Sequence, residues 1–282
     1  MLRYVAKNVG GSIRSRYFAV GVLLMIGIFF FSTGRGLLSV QVQEIPLVIQ
    51  EIFRYPMKTY EKMIIEYSSA SMFGFGIGNY VYLVLPLMVI GFLFRFCEER
   101  YGGYDRMILS RIGKKRYLLG TLLTSACLSI ITVILSGSII TAVLYMVLPP
   151  ISKGIEEMGA QTVQSMADPS IIYGNGIFFC LKLMLFASVL AVIGTWMGFL
   201  IAVITESRFL SIVTPVLVFE VWNELCQGAV SNVWYSFSVR NLVNPIYNGV
   251  PVLMYVIVVM VCLLLLGGAF YFTALKKFEK GW

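Results

Sequence analysis

The chain has 282 residues, 59% of them hydrophobic and 13% charged, with a mean hydropathy of +0.85, far outside the soluble range. Histidine is absent, which removes Ser-His-Asp and Cys-His catalysis, His-ligated zinc or haem, and histidine proton relays. The net charge of +8 is concentrated at the ends of apolar runs, where it records membrane topology rather than affinity for nucleic acid.

The chain opens with residues 1–16, MLRYVAKNVGGSIRSR. Here Leu2, Tyr4, Val5, Val9 and Ile13 alternate with Arg3, Lys7, Arg14 and Arg16, the pattern of an amphipathic helix on the inner leaflet with an interruption at Gly10–Gly11. A plain basic topology signal reads equally well. The apolar run that follows is longer than a signal-peptide core and lacks a small-residue cleavage pattern, so it is expected to stay in the membrane.

Six membrane spans are expected, at Tyr17–Leu38, Tyr80–Phe96, Tyr117–Leu148, Ile177–Thr205, Phe209–Glu224 and Val250–Leu275, each measured against the roughly 20 residues needed to cross a bilayer as a helix. The fold class is therefore all-α, a polytopic membrane protein forming one transmembrane domain over 1–282. The third span is too long for a perpendicular crossing and must tilt or project before Pro149–Pro150. The segment from Gln41 to Asn79 reads as a solvated outer cap. Residues 225–249 are too polar to span but rich in aromatics, so they read as a re-entrant or interfacial hairpin anchored by Trp222 and Trp234.

Six spans put both termini on one side. On that side fall Arg3, Lys7, Arg14 and Arg16, then Arg95, Arg100, Arg106, Arg111, Lys114, Lys115 and Arg116, then Arg208, and finally Lys276, Lys277 and Lys280. The other side holds only Arg35, Arg54, Lys58, Lys62, Lys153, Lys182 and Arg240, spread over longer loops. The positive-inside rule therefore predicts cytoplasmic termini in a plasma membrane.

Two features carry functional chemistry. The loop 97–116, CEERYGGYDRMILSRIGKKR, is dense in charge, breaks at Gly102–Gly103, and then presents Met107, Ile108 and Leu109 beside Asp105, Arg106 and Arg111. That is the profile of a short helix docked in a partner's groove, or of an ordinary positive-inside loop resting on lipid. The bridge Thr205–Glu206–Ser207–Arg208 is tight enough to be a second cytoplasmic contact or a plain hairpin turn. In the fifth span, Glu220 is expected near the middle of the membrane with Glu224 one turn further on. A carboxylate at that depth marks a cavity, unless the helix ends early at Pro215 or sits high in the membrane and leaves Glu220 in outer water. With Asn223, these two acids are the candidate lining of a substrate path.

The run from Glu98 to Gly120, with its Glu-Glu-Arg opening, Gly pair, short apolar helix, Ser-Arg turn and RYLLG lead into a long span, resembles the permease subunits of ATP-binding-cassette transporters of the type-2 exporter class. The six spans, external hairpin and basic tail ALKKFEK agree with that layout over the whole chain. Two departures are Thr121, where the family often has Lys, and Ile112–Gly113, where it often has Pro. The resemblance implies an all-helical fold, a bacterial exporter moving a peptide, lipid-linked or amphiphilic substrate, a second permease, and a separate ATPase subunit holding ATP and magnesium. It also implies that Glu98, Glu99, Arg100, Tyr101, Gly102, Gly103, Asp105, Arg106, Leu109, Arg111 and Arg116, with Glu206 and Arg208, form the ATPase-coupling surface.

No cofactor is expected on this chain. Ile112–Gly113–Lys114–Lys115 lacks the upstream glycine and the hydroxyl residue of a phosphate-binding loop. The five cysteines are scattered singly, without the spacing of a disulfide or metal site. The competing class is a secondary transporter or channel driven by ion gradients, which calls for more intramembrane charge or an internal repeat. An intramembrane enzyme is a third class, and no motif for one is present.

Overall fold

The computed structural model describes residues 2–39, 69–78, 81–101, 108, 110–147, 176–228, 234, 237–243 and 252–279. It is all-helical, with no strand among the described residues. Five helices are long and apolar enough to cross a membrane, or six if the bent pair at the N-terminus counts as one span. The protein is a multi-pass helical membrane protein.

α1 (Leu2–Ile13) runs straight through Gly10–Gly11, so the expected interruption there is absent. The break comes at Ser15 instead. Its hydroxyl donates to the Ser12 carbonyl (2.6 Å) and accepts from the Phe18 N–H (3.3 Å), closing one helix and capping the next. α2 (Arg16–Ser39) leaves at 67° to α1. α1 docks on the third span through its most buried residues, Asn8 and Ser12, and Tyr4 stacks on Tyr117 at 6.2 Å. Arg3 and Lys7 stay exposed.

Residues 69–78 correct the reading of a solvated cap. They form α3 (Ser69–Gly78), with Phe73 and Ile77 fully buried. Its sequence, SASMFGFGIG, is apolar but too short to register as a span, and its polar upstream neighbours mask it in any average over 41–79.

The second span changes helix type part-way along. α4 (Val81–Val84) passes into a 3-10 turn at Leu85–Leu87, and the helix resumes as α5 (Ile90–Tyr101). Pro86 has no N–H to give the Tyr82 carbonyl, so the regular ladder cannot continue there. The 3-10 turn is seated on Gly194, where an added Cβ would lie 2.8–2.9 Å from Pro86 ring atoms. Only glycine admits this approach. α5 also carries Glu98, Glu99 and Arg100 as helix rather than loop.

α6 (Lys114–Val147) is 34 residues long, about 51 Å at about 1.5 Å per residue. Gly113 precedes it at φ +85°, a left-handed conformation. A row of hydroxyls, Thr121, Thr124, Ser125, Ser129, Thr132 and Ser136, faces inward, each at most 1% exposed. Most of them donate to carbonyls of their own helix, such as Thr132 to Leu128 at 2.7 Å, while Ser129 pairs with Thr195 of the next helix at 3.0 Å. Small residues whose polar atoms are already satisfied let two helices approach closely inside a membrane.

α7 (Gly176–Thr205) lies at the centre of the bundle and contacts most other elements. Its Phe199 ring meets Phe92, Phe96 and Phe270 at 5.7, 5.0 and 6.0 Å. α8 (Arg208–Gln227) follows after two residues and continues through Pro215, so it does not end early there. It also takes 225–227 from the expected hairpin. The hairpin's best-described part, α9 (Val239–Val243), is a buried plug with Val239, Leu242 and Val243 at 0% exposure. Trp234 is exposed, whereas Trp222 belongs to α8 and packs against the core. α10 (Val252–Glu279) ends the described chain.

Candidate functional site

Two polar constellations interrupt the apolar bundle, one toward each end. In α8, Glu220 stands 12 residues from Arg208 and 7 from Gln227, about 18 Å and about 10 Å along the axis. Deep inside a membrane an uncompensated carboxylate costs about 3 kcal/mol. The Tyr82 hydroxyl of α4 donates to Glu220 Oε2 at 2.7 Å. Asn223 Nδ2 donates to that hydroxyl at 3.3 Å, and Asn223 Oδ1 accepts from Gln227 Nε2 at 3.2 Å and from the Arg240 backbone N–H of α9 at 3.3 Å. Tyr82 and Asn223 are 5% and 2% exposed, Glu220 is half-buried and Glu224 is exposed.

Of the three path residues expected from sequence, Glu220 and Asn223 are thus joined in one network. Glu224 stands one turn on, outside its hydrogen bonds. Tyr82 is the member that sequence reasoning missed. It lies 138 positions from Glu220, and a tyrosine near the end of a span ordinarily signals a membrane interface.

At the other end, the chain segments carrying most of the basic residues meet. Arg208 Nη1 lies 3.5 Å from Glu98 Oε1, and Arg95 Nε donates to Glu99 Oε1 at 2.8 Å. Lys114 Nζ donates to the Phe278 carbonyl at 3.0 Å. Lys277 Nζ donates to the Val203 carbonyl and to Glu206 Oε1, both at 2.7 Å, capping the C-terminus of α7. Glu206 itself adopts φ 56°, the left-handed turn that lets α8 start at once under the Ser207 cap. The Lys277 ammonium holds the Glu206 carboxyl below its ordinary range. Because the Glu206 side chain is 49% exposed, solvent screening limits the pair to a fraction of about 1 kcal/mol.

Among the expected coupling residues, Glu98, Glu99, Glu206 and Arg208 fall in this cluster. Arg111 and Arg116 are exposed at its margin. Arg100 is turned inward, 8% exposed, with its guanidinium 5.8 Å from the Phe96 ring centre. Tyr101 ends α5. Gly102, Gly103, Asp105, Arg106 and Leu109 lie outside the described residues. No group of three or more metal-ligating side chains occurs among the described residues.

No protein-family model, curated protein or solved structure matches this chain.

Proposed function

We propose that this chain is the membrane-spanning permease subunit of an ATP-driven exporter for a peptide, lipid-linked or amphiphilic substrate. In this reading a separate ATPase subunit holds ATP and magnesium and docks on residues 98–116, a second permease completes the pathway, and both termini are cytoplasmic. The observation that carries it is the Glu98–Arg208 link. A force on the loop after α5 acts directly on α5 and α6, and through that link it also reaches the α7–α8 bridge and α8, the helix bearing Glu220. Lys277 ties the last helix to the same bridge. Such a cluster converts a push from outside the membrane into a relative motion of the spans.

The test is co-purification in mild detergent. The wild-type chain is expected to bring down an ATPase, and the Arg106→Glu, Arg111→Glu double variant is expected to reach the membrane but release it. An ATPase retained with full activity by the double variant defeats the docking role. A second reading, a gradient-driven transporter, is favoured by the Tyr82–Glu220–Asn223 network, since carboxylates inside membranes serve proton and ion coupling. Transport by the purified chain alone, driven by a pH gradient and abolished by Glu220→Gln, selects that reading.

A further inference from the structure

The hydrogen bonds around Glu220 have a direction that can be assigned from one fixed donor. The Arg240 backbone N–H can only donate, so the Asn223 atom it meets is the oxygen. Gln227 Nε2 meets the same oxygen. The Asn223 amide nitrogen therefore faces Tyr82, whose hydroxyl oxygen accepts and whose own proton is left for Glu220. Every link points toward the carboxylate, and cooperative chains of this kind strengthen toward the charged acceptor. Three elements, α4, α8 and α9, converge to present one oriented carboxyl group.

Tyr82 is Glu220's hydrogen-bonding partner among the described residues, and it engages only Oε2. Among the described residues, the charged side chains acting on this cluster are Glu220 and Glu224 of α8 and Arg240 of α9. One hydroxyl donor does not compensate a charge at this depth. A second, independent feature points to the same place. Tyr82 lies one turn before Pro86, in the span whose helix tightens to 3-10 at Leu85–Leu87, and a mid-span 3-10 stretch is a common mark of a functional hinge.

We infer that Glu220 is the receptor for a cationic group, an ammonium or guanidinium, on the transported molecule, with Tyr82 and Asn223 as its positioning residues. The inference rests on the transport reading and narrows its substrate to basic amphiphiles or peptides. The free Oε1 takes the incoming cation, and the Tyr82 donor keeps the other oxygen in place. The same contact couples the ligand to the pivot at Pro86, because whatever moves Glu220 also moves the piece of chain attached to Tyr82.

The experiment is equilibrium binding of radiolabelled dodecylammonium to the full chain in lipid nanodiscs, with empty nanodiscs subtracted and uncharged dodecyl maltoside as competitor control. Wild type is expected to show a saturable site that the maltoside does not displace. Glu220→Gln is expected to weaken it at least tenfold and Glu220→Asp to restore most of it. Tyr82→Phe is expected to weaken it severalfold while keeping the preference for the cation, which a merely structural lesion would not keep. Equal saturable binding by wild type and Glu220→Gln, or none by wild type, overturns the assignment. Cation-selective binding in a chain that captures no ATPase sinks the exporter reading and leaves this site standing, and the converse result sinks this site alone.

Discussion

Replacing Gly194 by Ala tests the packing that seats the 3-10 turn at Pro86. The new methyl group would meet Pro86 Cγ, Cα and Cβ at 2.8, 2.9 and 2.9 Å. A proline ring cannot rotate aside, so either α7 or the 3-10 turn must move. Overpacking of this kind costs about 1–3 kcal/mol, while Ala in place of Gly in a helix returns about 1 kcal/mol. The net expectation is a loss of up to about 2 kcal/mol. Gly268 of α10 supplies the control, since a Cβ there meets nothing within 4 Å. Gly268→Ala should therefore gain up to about 1 kcal/mol from propensity alone. The assay is unfolding of the purified protein by increasing mole fraction of dodecyl sulfate in mild detergent, followed by helical circular dichroism. The two variants should shift the midpoint in opposite directions. If Gly194→Ala is as stable as Gly268→Ala, Pro86 does not rest on α7 as described.

Three further outcomes follow from named contacts. In a double-mutant cycle, Tyr82→Phe and Glu220→Gln should show a coupling of about 1 kcal/mol in the same unfolding assay, because a part-buried hydrogen bond joins them; additivity within error refutes the bond. Glu206 has a carboxyl held below its ordinary value of 4.5 by Lys277, so its contribution is present above that value and is lost as the pH falls through the lowered one. Comparing unfolding midpoints at pH 6 and pH 3, Glu206→Gln should reduce the acid-induced drop slightly, by well under about 1 kcal/mol at so exposed a site; a larger drop in the variant contradicts the pair. Gly113→Ala should cost about 1 kcal/mol from backbone strain alone at φ +85°, although a Cβ there would touch nothing; an unchanged midpoint argues against the left-handed turn before α6.

The apolar runs alone were enough to locate most of the spans. Span length depends on a rise of about 1.5 Å per residue set against a fixed hydrocarbon thickness, and both quantities are local. The tight α7–α8 bridge and the position of Glu220 along its helix were legible for the same reason. The misreadings came where a local average replaced a packing fact. α3 hid within a polar neighbourhood, and the Gly pair in α1 suggested a break that docking on α6 makes unnecessary. In the second span, the 3-10 turn at Pro86 lies inside an apolar run that averages as an ordinary span.

By itself, then, the sequence determined that this is a helical membrane protein, which stretches cross, and where a carboxylate sits along its helix, since each is a property of composition and counting along one segment. Only the tertiary structure decided that Tyr82 and Asn223 aim a chain of donors at that carboxylate, that Pro86 rests on Gly194, and that Lys277 caps α7. These contacts depend on how each helix is rotated against partners distant in the chain. That rotation is set by which side chains interlock in three dimensions, a quantity no single run of residues contains.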